Sequence, residues 1–129
     1  MKVRALFRPE VIEAASDETL LDAMSRMQFE EVGSVAVVEH GRLIGILTER
    51  DLTRAFADEV DPGEATVGQY MTEDPVTVTP DGEASEVAAT MLDLGLRHMP
   101  VIEEGKLAGM ISARDLLSLE AWNAVAKVR

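Results

Sequence analysis

Leu20, Ala23, Met24 and Met27 fall at i, i+3, i+4 and i+7, the spacing that lines one face of an α-helix, and Ala84, Val87, Ala88 and Met91 repeat it. These methionines are expected to be core. Val35 to Val38 and Leu43 to Leu47 are apolar runs too short for helices, and Glu39-His40-Gly41-Arg42 separates them. That pattern predicts a β-hairpin with Gly41 at positive φ. Glu103-Glu104-Gly105-Lys106 predicts a second hairpin of the same kind. Ahead of each helix, Val11 to Ala14 and Val76 to Thr79 are short apolar or β-branched stretches predicted as strands, followed by the helix-entry signals Ser16-Asp17 and Pro80-Asp81. After each hairpin, helices are predicted over Glu49 to Ala57 and from Ala113 to about Ala126.

The two sets of elements form one unit written twice. Thr48-Glu49-Arg50-Asp51-Leu52 lines up with Ser112-Ala113-Arg114-Asp115-Leu116, and Val37 to Gly45 with Val101 to Gly109, every pair 64 positions apart. Asp17 matches Asp81 and Met27 matches Met91 at the same offset, without insertions. The expected fold class is therefore α+β: two β-α-β-β-α repeats, 1–60 and 67–129, joined by a 61–66 linker around Asp61-Pro62-Gly63-Glu64 into one module of 129 residues. A three-stranded repeat of about 50 residues buries its sheet poorly alone. The copies are thus expected to pack face to face around a pseudo-twofold axis, with symmetric clefts between them.

Composition narrows the function. A formal charge of −12 and the absence of any basic residue from Ala55 to Leu96 argue against nucleic acid and anionic membranes as partners. No apolar run reaches the ~20 residues a bilayer span requires, and Met1 to Pro9 lacks the apolar core of a signal peptide, so a cytoplasmic location is expected. Without cysteine there is no thiol chemistry or zinc-thiolate site, and the two histidines, His40 and His98, lack acidic partners at ligand spacing, so no metal site is expected. No phosphate-binding GxxxxGK[ST] loop and no convergent nucleophile, His and acid set is present, so the chain is expected to have no catalytic residues.

Three segments carry a family resemblance. Tyr70-Met71-Thr72-Glu73-Asp74-Pro75-Val76-Thr77-Val78, Leu96-Arg97-His98-Met99-Pro100-Val101-Ile102 and Gly109-Met110-Ile111-Ser112-Ala113-Arg114-Asp115-Leu116 resemble the three most recognisable segments of CBS domains, whose tandem pair is called a Bateman module. The first copy departs from the pattern at Arg4 to Pro9, which lacks the Met-Thr and Asp-Pro elements, and at Ala36, which stands where the second copy has Pro100. The resemblance implies a non-catalytic regulatory module that binds AMP, ADP, ATP or S-adenosylmethionine. It implies that Asp51 and Asp115 hold ribose hydroxyls and that Thr48 and Ser112 lie near phosphate. It also implies that backbone around Ile12, Ala14, Val35 and Ala36, and around Val76, Val78, His98, Met99 and Pro100, holds adenine. Arg50 and Arg114 are expected to supply local cations, with Arg97 and His98 assisting.

A second explanation of the same residues stands beside the first. Thr48 or Ser112 followed three residues later by aspartate is close to a helix capping box, which stabilises a helix by about 1 kcal/mol and requires no ligand. One side chain can serve both roles. Gly45 and Gly109 mark either close approach of a ligand or a bulge where backbone comes near. Trp122, with Leu116, Leu117, Leu119 and Val125, is expected to close the core or contact a second copy in a homodimer. With no effector domain in the 129 residues, the output is expected to be a change of dimer shape that a separate effector protein recognises. The alternative is a structural or protein-interaction homodimer whose clefts are empty.

Overall fold

The computed structural model describes residues 1–117, and in it the chain divides into two compact units, Val11–Pro75 and a second that combines Met1–Glu10 with the chain from Val76 onward. The cuts do not coincide with those of the sequence repeat. Residues 1–10 pack with the second copy's elements, and residues 61–66 are tied into the first unit, where Leu20 N donates to Ala65 O at 2.9 Å and Leu21 N to Pro62 O at 2.9 Å.

In the unit Val11–Pro75, β1 (Glu13–Ala14) pairs parallel with β2 (Ser34–Glu39), which forms an antiparallel hairpin with β3 (Arg42–Thr48). β4 (Thr72–Glu73) closes the sheet antiparallel to β3, giving the order β1-β2-β3-β4. The hairpin turns on His40 and Gly41, whose φ values of 52° and 75° give the positive pair a two-residue turn requires. α1 (Leu20–Glu30), capped by Thr19, buries Leu20, Ala23 and Met27 against Val35, Val37 and Leu47, the expected stripe without Met24, which is exposed. α2 (Glu49–Ala57) contributes Ala55 to this core, and the short α3 (Val67–Tyr70) contributes Val67.

In the other unit, α4 (Ala84–Leu94) buries Val87 and Met91 against Met99, Val101 and Ile111 of the hairpin β5 (His98–Glu103) and β6 (Lys106–Ser112), while Ala84 and Ala88 are half-buried. The registers of the two hairpins repeat at the 64-residue offset, including a bulge after Val37 and after Val101. Val3 joins this second core fully buried, held by its amide on Gly82 O at 2.9 Å. Helix resumes at 113–117; the predicted extension to Ala126, with Leu119, Trp122 and Val125, lies outside the described residues.

The first strand of each copy is shorter than its sequence suggests. Val11 to Ala14 contributes only Glu13–Ala14, and Val76 to Thr79 forms no strand, only a bridge from Val78 to Val101. The residue facing each segment explains the difference. Ala36 donates its N–H to Ile12 O at 2.9 Å, whereas Pro100, at the equivalent position, has no N–H to give. Val78 is left with one donated bond to Pro100 O at 3.0 Å and one accepted from Ile102 N at 2.8 Å.

Candidate functional site

Each unit brings its hydroxyl and carboxylate together where a hairpin strand runs into a helix. Thr48 ends β3 opposite Ser34, and Ser112 ends β6 opposite His98. Helix follows in the next residue of each copy, at Glu49 and at Ala113. In one unit Thr48 N donates to Asp51 Oδ2 at 2.9 Å and the Thr48 hydroxyl lies 3.2 Å from the same oxygen. In the other, Ser112 N donates to Asp115 Oδ2 at 2.8 Å, and Asp115 N donates to Ser112 Oγ at 3.2 Å. The capping box is therefore built in both copies and consumes one carboxylate oxygen of each aspartate.

The other oxygen of each aspartate faces an arginine. Asp115 Oδ1 accepts from Arg8 Nε at 3.2 Å, and Asp51 Oδ1 lies 3.6 Å from Arg54 NH2, a longer ion pair. Asp51 is only 4% exposed, so its carboxylate is held in one orientation. Arg54 is also committed elsewhere: it donates to Tyr70 O at 2.8 Å and lies 5.6 Å from the centre of the Tyr70 ring. The Tyr70 hydroxyl donates to Asp58 at 2.8 Å, and that hydrogen bond is the main reason its pKa is pushed up.

Of the residues expected to hold adenine beside the first pair, Ile12 and Ala14 lie beside and on β1, and Val35 and Ala36 lie on β2 fully buried, with Ala36 N bonded to Ile12 O. Of those expected beside the second, Val78 donates to Pro100 O, and His98, Met99 and Pro100 lie on β5, where His98 pairs with Ser112; Met99 and Pro100 are buried, and Val76 is 41% exposed. Arg50 and Arg114, one residue before each aspartate, are both exposed. The arginines that meet the carboxylates are Arg54 and Arg8, which sequence reasoning missed. Arg54 stands three residues after Asp51, a visible helical neighbour, but Arg8 is 107 residues from Asp115 and only the fold joins them.

Gly45 and Gly109 mark close backbone approach. A Cβ on Gly45 would meet Met71 Sδ at 2.6 Å and Thr72 O at 3.0 Å, and one on Gly109 would collide with Arg8 O and the Phe7 ring. At the far end of the first hairpin an open groove of about 420 Å³ is lined by Glu13, Ala14, Ala15, Glu18, Val38, His40 and Gly41; of the predicted contact residues it includes Ala14 alone. Among the described residues, no three His, Cys, Asp or Glu side chains are grouped to hold a metal, and no helix is long and apolar enough to cross a membrane.

A fixed carboxylate accepts hydrogen bonds from a vicinal diol, and a helix start offers N–H groups and a positive dipole to phosphate. The arrangement is thus suited to a ribose-bearing ligand. The CBS-domain family profile matches residues 3–58 and 67–121. The uncharacterised protein MJ1225 of Methanocaldococcus jannaschii is 33% identical over 118 residues, covering 91% of this chain. The chain spans only 42% of that relative's length. Among solved structures, that of the CBS domain of NE2398 is similar with a TM-score of 0.90 at 27% identity, covering 94% of this chain and 98% of that one. The CBS domain pair of MJ0100, solved with 5′-methylthioadenosine and S-adenosyl-L-methionine, gives a TM-score of 0.88 at 22% identity, covering 95% and 98%.

Proposed function

Because this chain belongs to the CBS-domain family, we propose that it is a non-catalytic regulatory module that binds an adenine nucleotide or another adenosyl ligand at the Thr48–Asp51 and Ser112–Asp115 pairs. The observation that carries this reading is the duplication of a hydroxyl and a fixed, largely buried carboxylate at the same strand-to-helix junction, with a helix start beside each. The adenosyl ligands of the MJ0100 pair support the choice of ligand class. In this reading Asp51 and Asp115 hold the ribose diol with lone pairs the cap does not use, the helix N-termini receive phosphate where there is one, and the segments Ile12 to Ala14 and Val76 to Val78 meet the base.

Binding alters the ion pair at each carboxylate, and through it the segments that carry the arginines. A second copy of the chain and a separate effector protein complete the proposed assembly. Phe29, Phe56 and Leu92 leave more than four-fifths of their surface exposed, which supports pairing with another surface.

Thermal denaturation with AMP, ADP, ATP and S-adenosylmethionine tests the reading. A ligand at 100 times its Kd is expected to add about 2.7 kcal/mol. Asp51→Ala and Asp115→Ala should each remove part of that gain, and the double variant all of it, while each single variant folds with the loss of about 1 kcal/mol of capping. The complete capping boxes favour a second reading, in which these residues only start helices and the chain is a structural homodimer. No stabilisation by any of the four ligands at millimolar concentration would select it.

A further inference from the structure

We propose that Arg8 makes the Ser112–Asp115 site more selective for adenosyl ligands that carry a 5′-phosphate, over their uncharged analogues, than the Thr48–Asp51 site is. This rests on the reading that the two hydroxyl and carboxylate pairs hold adenosyl ligands.

Backbone register places Arg8. Arg8 bridges Met110 of β6 through two reciprocal hydrogen bonds, each 2.9 Å, and Thr72 of β4 pairs with Ile46 of β3. Both members of these pairs are related by the 64-residue offset, so Arg8 and Thr72 occupy the same place in the two copies. One carries a guanidinium and the other a neutral hydroxyl. The missing side chain at Gly109 lets Arg8 O and the Phe7 ring lie against β6, so the start of the Arg8 side chain is fixed by backbone.

The guanidinium then reaches Asp115, placing Nε at 3.2 Å from Oδ1, while the Arg8 side chain remains 53% exposed. Asp51 is faced instead by Arg54 at 3.6 Å from its own helix, and that guanidinium is already engaged by Tyr70. A ribose that hydrogen-bonds to Asp115 Oδ1 competes with Arg8 Nε. If the ligand carries a phosphate, the displaced guanidinium finds two or more anionic oxygens in a geometry its planar fork fits. With an uncharged ligand it loses its carboxylate and gains nothing.

Isothermal titration separates the sites when performed on the Asp51→Ala protein, with AMP and 5′-methylthioadenosine as probes. AMP is expected to bind about tenfold or more tightly than methylthioadenosine, the size of one charge-assisted hydrogen bond. Adding Arg8→Gln should weaken AMP about tenfold, leave methylthioadenosine unchanged or tighter, and bring the two affinities within about threefold. Arg8→Lys should keep a preference for AMP through its charge. If Arg8→Gln does not fold, Arg8→Met, which keeps the aliphatic stem, is read in its place. Equal weakening of both probes would mean that Arg8 merely holds Asp115, and would overturn the proposal, as would equal affinities before Arg8 is changed. Binding of both probes without preference defeats only the role of Arg8, whereas binding of neither to the unsubstituted protein defeats the functional reading itself.

Discussion

Asp51 and Asp115 each turn one oxygen to the backbone of the preceding strand end and the other to an arginine. The capping and ligand explanations of the motif therefore describe different atoms of one carboxylate. At the same scale, two side chains stand where their chemistry does not suit the backbone. His40 and Glu104 precede the hairpin glycines at φ 52°, a left-handed conformation that Asn and Gly adopt at lower cost. Glu104→Asn is expected to stabilise the protein by roughly 0.5–1 kcal/mol, read as a higher urea midpoint with an unchanged slope. An unchanged midpoint would mean that the turn is relaxed with glutamate in place. Gly41 and its positive φ were legible in sequence; the matching demand on the residue before it was not, because it follows from the two-residue loop.

Among the elements, the segment Met1–Glu10 changes most between expectation and structure. It reads as the irregular start of the first copy, yet it supplies a buried valine and an edge bridge to the second unit. Its charges follow: Lys2 pairs with Glu83 at 2.9 Å, and Arg4 with Glu103 at 2.8 Å. The hydrogen bond from Lys2 holds Glu83 below the ordinary carboxylate value of 4.5. A depressed carboxylate stabilises the fold above its unfolded pKa and loses that contribution as pH falls through the folded one. The protection factor of the Val3 amide is thus expected to drop as the solution is acidified below 4.5. Lys2→Ala should flatten that dependence, measured by hydrogen exchange; an identical pH profile in the variant would remove Glu83 from the account.

For the molecule as a whole, the sequence repeat and the compact units are different divisions of one chain. The repeat records what was duplicated, and the units record which apolar side chains share a core. Deleting residues 1–10 removes Val3 from among Val87, Met91, Met99, Val101 and Ile111. Hydrogen exchange is expected to accelerate across β5 and β6 in the truncated protein while β2 and β3 keep their protection. Uniform loss of protection in both hairpins would mean that the units do not unfold separately.

Elements whose signal is local were set by the sequence alone: the helical stripes around Leu20 and Val87, the hairpins with their glycines, and the Thr48–Asp51 and Ser112–Asp115 spacing. Each depends on residues within a turn or a strand's length of one another, where side-chain period and backbone preference act directly. The tertiary structure decided that Arg8 reaches Asp115, why Pro100 leaves Val78 a single bridge, and where residues 1–10 lie. Those outcomes depend on close contact between distant segments, permitted by glycines at 45 and 109, and no local pattern records the partner.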